Sequence, residues 1–556
     1  MMIEKIMGSD YAEIILLIKQ DDSLRPKNHQ YPTANGKFET FLLSAYWKLD
    51  QRLNKLSPHA FEPKNLQLLS SNIPYMIVRP VQQVSGESFS EEDCEKVQEY
   101  ELDVLIKLGF GALSGKVLSS AKYGIWSYQH GDNGIYPGGA ASFREVFEGL
   151  GETDFSLRIL TEECGKESIL CRSYEQTGKL SVCNYNNIIY WKTSAFILRK
   201  LRELHKLGEK LFFERVQQDN QHPVFYSKTK HTIPKTSEWI GLMLRHLQKI
   251  INLKVKKVFY FDQYILLFDV NQCSELSSLI SRLSSYKKMI PPRDRFWADP
   301  FVVYENRKHY VFIEEVTAQS NRGHISCFVI DEDGTPSVPK KIIEEPYHMS
   351  YPFVFSHNDE YYMIPETGAN KTIDLYKCID FPEKWEKVTT LMKDVQAYDA
   401  TLFQKQGKWW LFVNICENEG MSSLDELFLF FSEDLFSGNW IPHVKNPIVS
   451  DVRAARPAGK IFSYNGNLYR PSQNSSKIYG YGMKINHIIT LTETEYKEEC
   501  VNDIEPLWDK KIIAVHTLNF VNGVTIIDGL MKRTRYPSAI FRRFRRLWRQ
   551  LRGHVR

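Results

Sequence analysis

Charged or polar side chains lie at the start of a strand motif that recurs in the second half of the chain. The four copies begin at Asp299, Tyr351, Asp399 and Arg456, and Glu366 follows the second copy. Carboxylates can move protons or act as nucleophiles, whereas an arginine guanidinium stays protonated at any working pH and binds anions. The residue types therefore point to acid–base chemistry, to the binding of a polar or anionic ligand, or to both.

Each copy of the motif is followed by a polar turn and a second strand, and the copies are offset by 52, 48 and 57 residues. The four turns lie at 305–307, 357–359, 405–407 and 464–466. Hairpins repeated at this spacing are typical of the blades of a β-propeller. Two further strand patterns, Lys257–Val270 and Val515–Ile527, flank the repeats, and we expect them to pair and complete the ring. The sequence predicts an all-β five-bladed propeller at 257–530.

The segments Trp297–Pro300 and Tyr398–Asp399 resemble the five-bladed arabinanase, levansucrase and invertase clan. The whole repeat region is more similar to the amino-terminal module of plant glucosamine inositolphosphorylceramide transferases. In the hydrolases of the clan, three carboxylates at the channel mouth serve as base or nucleophile, orienting group and acid. The resemblance places Asp299 and Asp399 at the first two positions and Arg456 at the third. It therefore weighs against hydrolysis and leaves Glu366 as the remaining candidate proton donor.

Basic and amide side chains near the fourth copy suit ligand binding. Arg453 and Arg456, with Gln473 and Asn474 one strand later, offer donors for a phosphate, a carboxylate or sugar hydroxyls. We expect these four residues to bind substrate at the channel mouth, and no metal site is predicted. The alternative is that Asp299 and Arg456 form a structural ion pair across the channel.

The first 205 residues alternate short apolar runs with helical patterns. The patterns predict buried strands at Ala12–Lys19, Tyr75–Arg79 and Leu102–Leu108, and helices at Phe41–Leu56 and from Ser90 to about Tyr100. Such alternation is typical of a mostly parallel sheet covered by helices. The sequence therefore predicts an α/β Rossmann-like domain at 1–205, and a linker with a helix at 206–256.

Three segments of this domain, Asp103–Gly111, Lys122–His130 and Pro137–Ala141, resemble in order and spacing the core of the formyltransferase amino-terminal domain. The resemblance implies 10-formyltetrahydrofolate as cofactor and an Asn-x-His pair with a later aspartate as catalytic groups. Their task is to take a proton from an attacking amine and to hold the oxyanion that forms on the formyl carbon. The resemblance assigns cofactor contacts to Gly109, Phe110, Gly111, Gly138 and Gly139.

Carried over position by position, His130 matches the family histidine, Tyr128 occupies the asparagine position, and the aspartate position falls at or near Gly165. Asp132 is a nearby alternative carboxylate. The expected catalytic residues are therefore His130, as base or oxyanion partner, and Asp132. The alternative is a loop histidine hydrogen-bonded to Asp132, with the glycines serving as turn residues.

The composition is 43% hydrophobic and 25% charged, as expected of a globular protein. Nine scattered cysteines without a C-x-x-C pair argue against a disulfide framework or a zinc site, and favour a reducing, cytoplasmic compartment. The chain opens without a basic segment followed by an apolar run, and no stretch reaches about eighteen apolar residues. Neither a signal peptide nor a membrane span is therefore predicted.

The carboxy-terminal tail, residues 531–556, is strongly basic. From Lys532 to Arg556 there are nine arginines, one lysine and no acidic residue, although the net charge of the whole chain is only +4. Apolar residues between Ile540 and Leu551 fall on one helical face and arginines on the others. This pattern favours an interfacial helix on an anionic bilayer. Docking on the acidic body of the protein is the alternative, and nucleic-acid binding is a weaker third.

Together these patterns predict a cytoplasmic transferase of surface-glycan or glycolipid biosynthesis, peripheral on the inner face of the membrane. A formyltransferase-like first domain would act on an amino sugar carried on nucleotide or lipid phosphate, while the propeller holds the glycan. The main rival is a glycosyl-transferring or glycan-binding protein with its active centre in the propeller channel and a degenerate first domain. A scaffold with two degenerate sites is the third hypothesis.

Overall fold

The computed structural model describes residues 2–21, 37–62, 73–83, 86–130, 143–162, 167–178, 180–221, 236–270, 281–538 and 542–543. The chain divides into two compact units. The first comprises 1–247 with 418–422, and the second comprises 248–417 with 423–556.

Six α-helices are found among the described residues. They are α1 (Met2–Met7), α2 (Lys37–Leu53), α3 (Glu91–Gln98), α4 (Phe143–Glu148), α5 (Val182–Asp219) and α6 (Thr236–Phe259). Helix α3 begins as predicted, because the hydroxyl of Ser90 accepts a hydrogen bond from the N–H of Asp93 at 3.1 Å and caps the first turn. Helix α5 continues past residue 205, with non-helical backbone at Gly208. Among these helices, none is both long and apolar enough to cross a bilayer.

The described strands of the first unit form three separate sheets. They are β1 (Leu17–Gln20), β2 (Tyr75–Val78), β3 (Val81–Gln83), β4 (Gly86–Ser88), β5 (Leu105–Lys107), β6 (Ile125–His130), β7 (Glu152–Ile159) and β8 (Ser168–Gln176). Strands β1 and β2 pair in parallel, β3 and β4 form a hairpin, and the sheet β5-β6-β7-β8 is parallel only between β5 and β6. A single, mostly parallel Rossmann-like sheet is therefore not shown by the described residues.

The predicted strands of this unit exist, but they are shorter and more exposed than expected. In β2, Tyr75 is 62% and Ile77 is 58% exposed, although the sequence predicted a buried strand. A short apolar run is compatible with an edge strand as well as with a buried one, so periodicity alone could not separate the two.

Beyond the end of α6 at Phe259 the second unit is mainly β, and its described part contains five mainly antiparallel sheets, which we call blades 1 to 5. Blade 1 contains β11 (Arg295–Glu305), β12 (Lys308–Thr317), β13 (Gly323–Ile330) and β14 (Lys340–Ile343). Blade 2 contains β15 (Ser350–His357), β16 (Glu360–Thr367), β17 (Thr372–Asp380) and β18 (Lys384–Lys393). Blade 3 contains β19 (Gln396–Lys405), β20 (Lys408–Cys416), β21 (Glu426–Ser432), β22 (Ile441–Pro442) and β23 (Val449–Ser450).

Blade 4 contains β24 (Phe462–Tyr464), β25 (Asn467–Asn474), β26 (Gly482–Leu491) and β27 (Tyr496–Ile504). Blade 5 contains β9 (Tyr260–Asp269), β10 (Lys287–Met289), β28 (Ile512–Ala514), β29 (Leu518–Val521) and β30 (Val524–Thr534). Strand β9 pairs with β30 along its whole length, so segments from the two ends of the unit share one sheet, as the sequence predicted. This arrangement is consistent with a five-bladed propeller.

Two-residue turns fix the first hairpin of every blade. Both turn residues have positive φ, as a type I′ turn requires. The pairs are Asn306 and Arg307, Asn358 and Asp359, Gln406 and Gly407, Asn465 and Gly466, and Asn522 and Gly523. The first four pairs lie in the turns that the sequence predicted, and the fifth gives blade 5 the same geometry.

Candidate active site

Blades 1, 2 and 3 share an irregularity in their first strand. The pairing of the first two strands is interrupted between Ala298 and Phe301, between Ser350 and Phe353, and between Tyr398 and Thr401. At each interruption one residue has positive φ, namely Asp299 (50°), Tyr351 (42°) and Asp399 (52°). A bulge redirects a side chain, and positive φ outside glycine persists only where the surrounding packing holds it. The repeated motif thus presents three polar side chains in the same way from three blades.

Asp299 belongs to a buried group that also contains His516, Thr517 and Asp528, which we call the imidazole cluster. The imidazole of His516 lies between two carboxylates, with Nε2 3.2 Å from Asp299 Oδ1 and Nδ1 2.9 Å from Asp528 Oδ2. The hydroxyl of Thr517 donates to Asp299 Oδ1 at 2.8 Å. The cluster therefore joins blade 1 to blade 5 through charged side chains.

The partners within the imidazole cluster determine its protonation. Burial opposes the charged imidazolium, but the carboxylates of Asp528 and Asp299 raise the pKa of His516 well above its ordinary value. Burial also opposes the charge of Asp299, yet the charge and hydrogen bond of His516 together with the hydroxyl of Thr517 hold the pKa of Asp299 below its usual range. At neutral pH an ionised Asp299 therefore faces a protonated imidazole.

Asp399 belongs to a second buried group with Arg456, Glu366 and Gln473, which we call the guanidinium cluster. Arg456 donates from Nε to Asp399 Oδ2 at 2.6 Å, from Nη2 to Asp399 Oδ1 at 3.2 Å, and from Nη2 to Glu366 Oε2 at 3.2 Å. Gln473 Nε2 donates to Asp399 Oδ2 at 2.8 Å. One guanidinium is thus shared by carboxyl groups from blades 2 and 3.

This sharing leaves Glu366 protonated. Burial and the negative charge of Asp399 raise the pKa of Glu366 well above its usual range, and the guanidinium of Arg456 offsets only part of this effect. Arg456 forms two hydrogen bonds with Asp399 and one with Glu366, so Asp399 receives most of the compensating charge. Glu366 can therefore donate a proton at neutral pH.

The two clusters act on each other electrostatically. The charge of Asp299 contributes to the raised pKa of Glu366, and the charge of Arg456 contributes to the lowered pKa of Asp299. Two buried carboxyl groups that act on each other electrostatically, with pKa values moved in opposite directions, suit acid–base catalysis. The geometry therefore supplies one proton donor, Glu366, and one ionised carboxylate, Asp299.

Aromatic side chains lie beside both clusters, and one of them is partly exposed. The ring of Tyr479 lies 5.2 Å from the guanidinium carbon of Arg456 and 5.4 Å from the ring of His516, and this tyrosine is 39% exposed. The hydroxyl of Tyr264, whose ring is 4.9 Å from that of His516, is buried without a hydrogen-bond partner within the described part of the chain. In the guanidinium cluster, Gln473 Oε1 is likewise buried without a hydrogen-bond partner among the described residues. In or beside each cluster, one buried side chain thus has an oxygen atom whose hydrogen-bonding capacity is unused within the described part of the chain.

The imidazole cluster also contains a possible set of metal ligands. One ligand atom each of Asp299, His516 and Asp528 can be chosen so that all three lie within 4.8 Å of one another. Both imidazole nitrogens, however, face carboxylate oxygens. A cation would have to displace a proton from the imidazole, because a histidine ligates a metal only through a deprotonated nitrogen.

The structure places the four residues predicted to bind substrate in different surroundings. Arg456 and Gln473 lie in the guanidinium cluster, and Asn474 is buried with its side-chain oxygen accepting from Ser476. Arg453 pairs with Asp451 instead, and both line a separate cavity of about 470 Å³. The alternative ion pair between Asp299 and Arg456 is not formed, because these side chains pair with His516 and with Asp399 and Glu366 respectively.

The predicted residues of the first unit are described only in part. Asp132, Gly138 and Gly139 lie outside the described residues, and His130 ends strand β6, where its backbone pairs with that of Phe155.

In the loop after β5, the N–H of Gly111 donates to Glu87 at 2.9 Å. Lys107 donates to the carbonyls of Phe110 and Gly111. The hydroxyl of Tyr128, at the asparagine position of the resemblance, donates to the carbonyl of Thr193 at 2.7 Å.

Sequence reasoning missed most partners of the predicted carboxylates. His516 and Thr517 lie in the final strand pattern, which was interpreted only as part of a blade, and Asp528 directly follows that pattern. One signal was available, because Asp528 interrupts the apolar run from Val524 to Leu530. An isolated charge in an otherwise apolar strand indicates a buried partner.

Residues 283–511 match one known family. Its model is described as "Glucosamine inositolphosphorylceramide transferase 1, N-terminal". The glucosamine inositolphosphorylceramide transferase 1 of Oryza sativa subsp. japonica is 35% identical over 210 residues, which is 37% of this chain and 28% of the relative. The Arabidopsis thaliana protein of the same name is 32% identical over 206 residues, or 36% of this chain and 27% of the relative. The predicted resemblance of the repeat region to this amino-terminal module is confirmed.

Solved structures with similarity to the chain include carbohydrate-active enzymes. The catalytic domain of an α-L-arabinofuranosidase from Coprinopsis cinerea is 11% identical with a TM-score of 0.32, covering 48% of this chain and 97% of that domain. An exo-1,5-α-L-arabinanase from a bovine ruminal metagenomic library is 14% identical with a TM-score of 0.30, covering 43% of this chain and 92% of that enzyme.

Proposed function

We propose that the protein is a transferase of surface-glycan or glycolipid biosynthesis that handles its sugar between the imidazole and guanidinium clusters. The observation that carries this proposal is that two buried carboxyl groups, a protonated Glu366 and an ionised Asp299, act on each other electrostatically. The relatives matched in the second half of the chain are named glucosamine inositolphosphorylceramide transferase 1. The chain spans little more than a quarter of their length, so their chemistry serves here as an analogy.

The two carboxyl groups suit the transfer of a sugar from one oxygen to another. Glu366 gives its proton to the leaving oxygen as the old bond to the anomeric carbon breaks. Asp299 takes the proton of the incoming hydroxyl as the new bond forms, so the proton count is preserved. Arg456 takes no part in proton transfer, because it stays protonated at any working pH. Its role is to hold Asp399 and Glu366 in place.

The charge of the site indicates which sugars it accepts. Apart from Glu366, the two clusters contain the carboxylates of Asp299, Asp399 and Asp528 and the cations His516 and Arg456. Carboxylates are in excess, and both cations are already engaged in ion pairs. A neutral or cationic sugar such as a glucosamine unit therefore fits better than the anionic glycan for which Arg456 was expected to be the ligand.

A transfer assay tests this proposal. The full chain is incubated with labelled sugar nucleotides and a lipid extract, and the label in the lipid phase is counted. We expect incorporation by the wild type, background levels for Asp299→Asn and for Glu366→Gln, and wild-type levels for Leu507→Ala, a control at a side chain that is 77% exposed. Equal incorporation by the wild type and both carboxyl variants would contradict the assignment.

A second candidate function, formyl transfer in the first unit, rests on the placement of His130. This residue ends β6, and the neighbouring strand β7 leads into the connection to β8 to which the formyltransferase resemblance assigns an aspartate. Calorimetric titration of the full chain with a folate analogue tests this candidate. Heat of binding by the wild type that is lost in His130→Ala would support formyl transfer. The absence of binding by the wild type would contradict formyl transfer, without bearing on the site proposed in the second unit.

A further inference from the structure

Glu314, a buried residue of blade 1, carries a carboxyl group that belongs to neither cluster. In β12 its backbone pairs with that of Ala298, the residue before Asp299. Its Oε1 lies 3.2 Å from Nε2 of His348, and the side chains of Glu314 and His348 are 9% and 41% exposed. Within the described part of the chain, this carboxyl group has no other hydrogen-bond or ion-pair partner. One of its two oxygens is therefore held by the protein, and the other is not.

The imidazole of His348 is fixed by contacts at both ring nitrogens. The N–H of Gly323 donates to Nδ1 at 2.9 Å. A ring nitrogen that accepts a hydrogen bond carries no proton, so the proton of the imidazole is on Nε2 and points to Glu314. Both nitrogens are thus engaged, and neither is left for a ligand. The role of His348 is to hold the carboxyl group of Glu314.

Gly323 lets this pair and the segment that leads into blade 2 come together. A Cβ atom at this position would lie 2.7 Å from Cε1 of His348, 2.9 Å from Oε1 of Glu314 and 2.4 Å from the carbonyl oxygen of Met349. Any larger residue would therefore displace the pair. The N–H of Met349 donates to the carbonyl of Gly323 at 3.0 Å. Backbone from blade 1 and from the segment before blade 2 thus holds the two side chains.

The segment that leads into blade 2 also contacts Asp299. Two residues after Met349, the N–H of Tyr351 donates to Asp299 Oδ2 at 3.2 Å. Burial and the charge of Asp299 raise the pKa of Glu314, and the hydrogen bond and charge of His348 offset only part of this effect. A buried carboxyl group with a single donor costs folding free energy, and proteins retain such groups at functional sites. Glu314 is therefore a candidate for ligand binding next to the imidazole cluster.

We propose that Glu314 binds an amino group of the sugar through the oxygen that His348 does not hold, and so determines which sugars the site accepts. This inference rests on the proposed function, because it places the sugar at the imidazole cluster. An ammonium group supplies the positive charge that this buried carboxyl group lacks, whereas a hydroxyl supplies only a neutral donor. A site with an unpaired buried polar group discriminates strongly against ligands that pair with it poorly.

Calorimetric titration of the full chain with two methyl glycosides tests this inference. Methyl glucosaminide carries an amino group where methyl glucoside carries a hydroxyl. We expect the wild type to bind the amino sugar about tenfold more tightly. Glu314→Gln should abolish this preference, because its amide still accepts from His348 but presents an N–H group to the ligand. The matched control Glu383→Gln, at a side chain that is 62% exposed between β17 and β18, should keep the preference.

Two variants of His348 test its role as a positioning residue. His348→Gln retains a donor for Glu314, and we expect most of the preference for the amino sugar to remain. His348→Leu removes the donor, and the preference should fall about tenfold. Thermal unfolding verifies that both variants are folded. Equal losses of preference in the two variants would show that the hydrogen bond to Glu314 does not matter.

Three results would overturn the role of Glu314. They are equal affinity of the wild type for the two glycosides, no binding of either glycoside, and an unchanged preference in Glu314→Gln. The transfer assay with Asp299→Asn and Glu366→Gln judges the proposed function separately. Transfer that depends on those two residues, together with an unchanged preference in Glu314→Gln, would contradict this inference and leave the proposed function in place.

Discussion

Asp299 and Asp399 occupy equivalent positions in their blades but are held by different cations. Both follow the same bulge, and their φ values of 50° and 52° are nearly the same. Asp299 faces the imidazole of His516, whereas Asp399 binds the guanidinium of Arg456. Identical backbone geometry therefore does not give the two aspartates identical chemistry.

The two clusters also differ in the surroundings of their second carboxyl group, which is Asp528 in the imidazole cluster and Glu366 in the guanidinium cluster. Asp528 accepts hydrogen bonds from the backbone N–H groups of Asp299, His516 and Thr517, at 3.0, 3.0 and 3.1 Å. Glu366 accepts one hydrogen bond from the guanidinium of Arg456 and shares another with Asp399, and burial raises its pKa. The two carboxyl groups thus differ in the number of hydrogen-bond donors that surround them.

Removal of the Arg456 guanidinium should cause the largest loss of stability. Arg456→Met leaves Asp399 and Glu366 buried without a cation, and we expect the free energy of unfolding to fall by about 3–5 kcal/mol. Chemical denaturation measures this change. Arg453→Met, which removes a more exposed arginine paired with Asp451, should cost less than about 1 kcal/mol. Similar losses for the two arginine variants would show that the guanidinium cluster does not bear the charge described.

Neutral replacements of Asp299 and Glu366 should lower the free energy of unfolding by different amounts. Asp299→Asn removes a negative charge that compensates the imidazolium of His516, and we expect a loss of about 2–3 kcal/mol. Glu366→Gln replaces a carboxyl group that is already neutral, so its cost should stay under about 1 kcal/mol. Denaturation of both variants at neutral pH gives the comparison. The reverse order of the two losses would contradict the assigned protonation states.

The smallest expected change in stability occurs at alkaline pH, and it arises from the imidazole cluster alone. Because the pKa of His516 is raised in the folded state, its stabilising contribution is complete below the unfolded value near 6.5 and is lost as the pH rises through the folded value. Arg456 does not titrate in this range. Denaturation at several alkaline pH values should therefore show a decline for the wild type that is reduced in His516→Gln. A decline of equal slope in both would exclude His516 as its source.

The sequence predicted best those elements that form between residues close to each other in the chain. The repeated motif and its polar turns predicted the hairpins of blades 1 to 4, because a two-residue turn and the alternation of a strand are written in neighbouring residues. The pairing of β9 with β30 was also predicted, since two strand patterns remained without a partner. The same local reasoning placed Asp299 and Asp399 at matching positions.

The partners of these aspartates could not be predicted in the same way. His516 is 217 residues from Asp299, and no spacing rule links them. Arg456 was expected to contact substrate, but the geometry assigns its hydrogen bonds to Asp399, Glu366 and Ser423. In the first unit, strands of three or four residues such as β5 and β2 gave too short a pattern to separate one parallel sheet from several small ones.

The protonation of Glu366 is the central claim, and infrared spectroscopy tests it most directly. The carbonyl stretch of a protonated carboxylic acid is distinct from the stretches of a carboxylate. At neutral pH we expect one component of this band to be present in the wild type and in Asp299→Asn, and to be absent in Glu366→Gln. A spectrum in which Glu366→Gln retains the whole band, or in which Asp299→Asn loses a component, would contradict the assignment of donor and base.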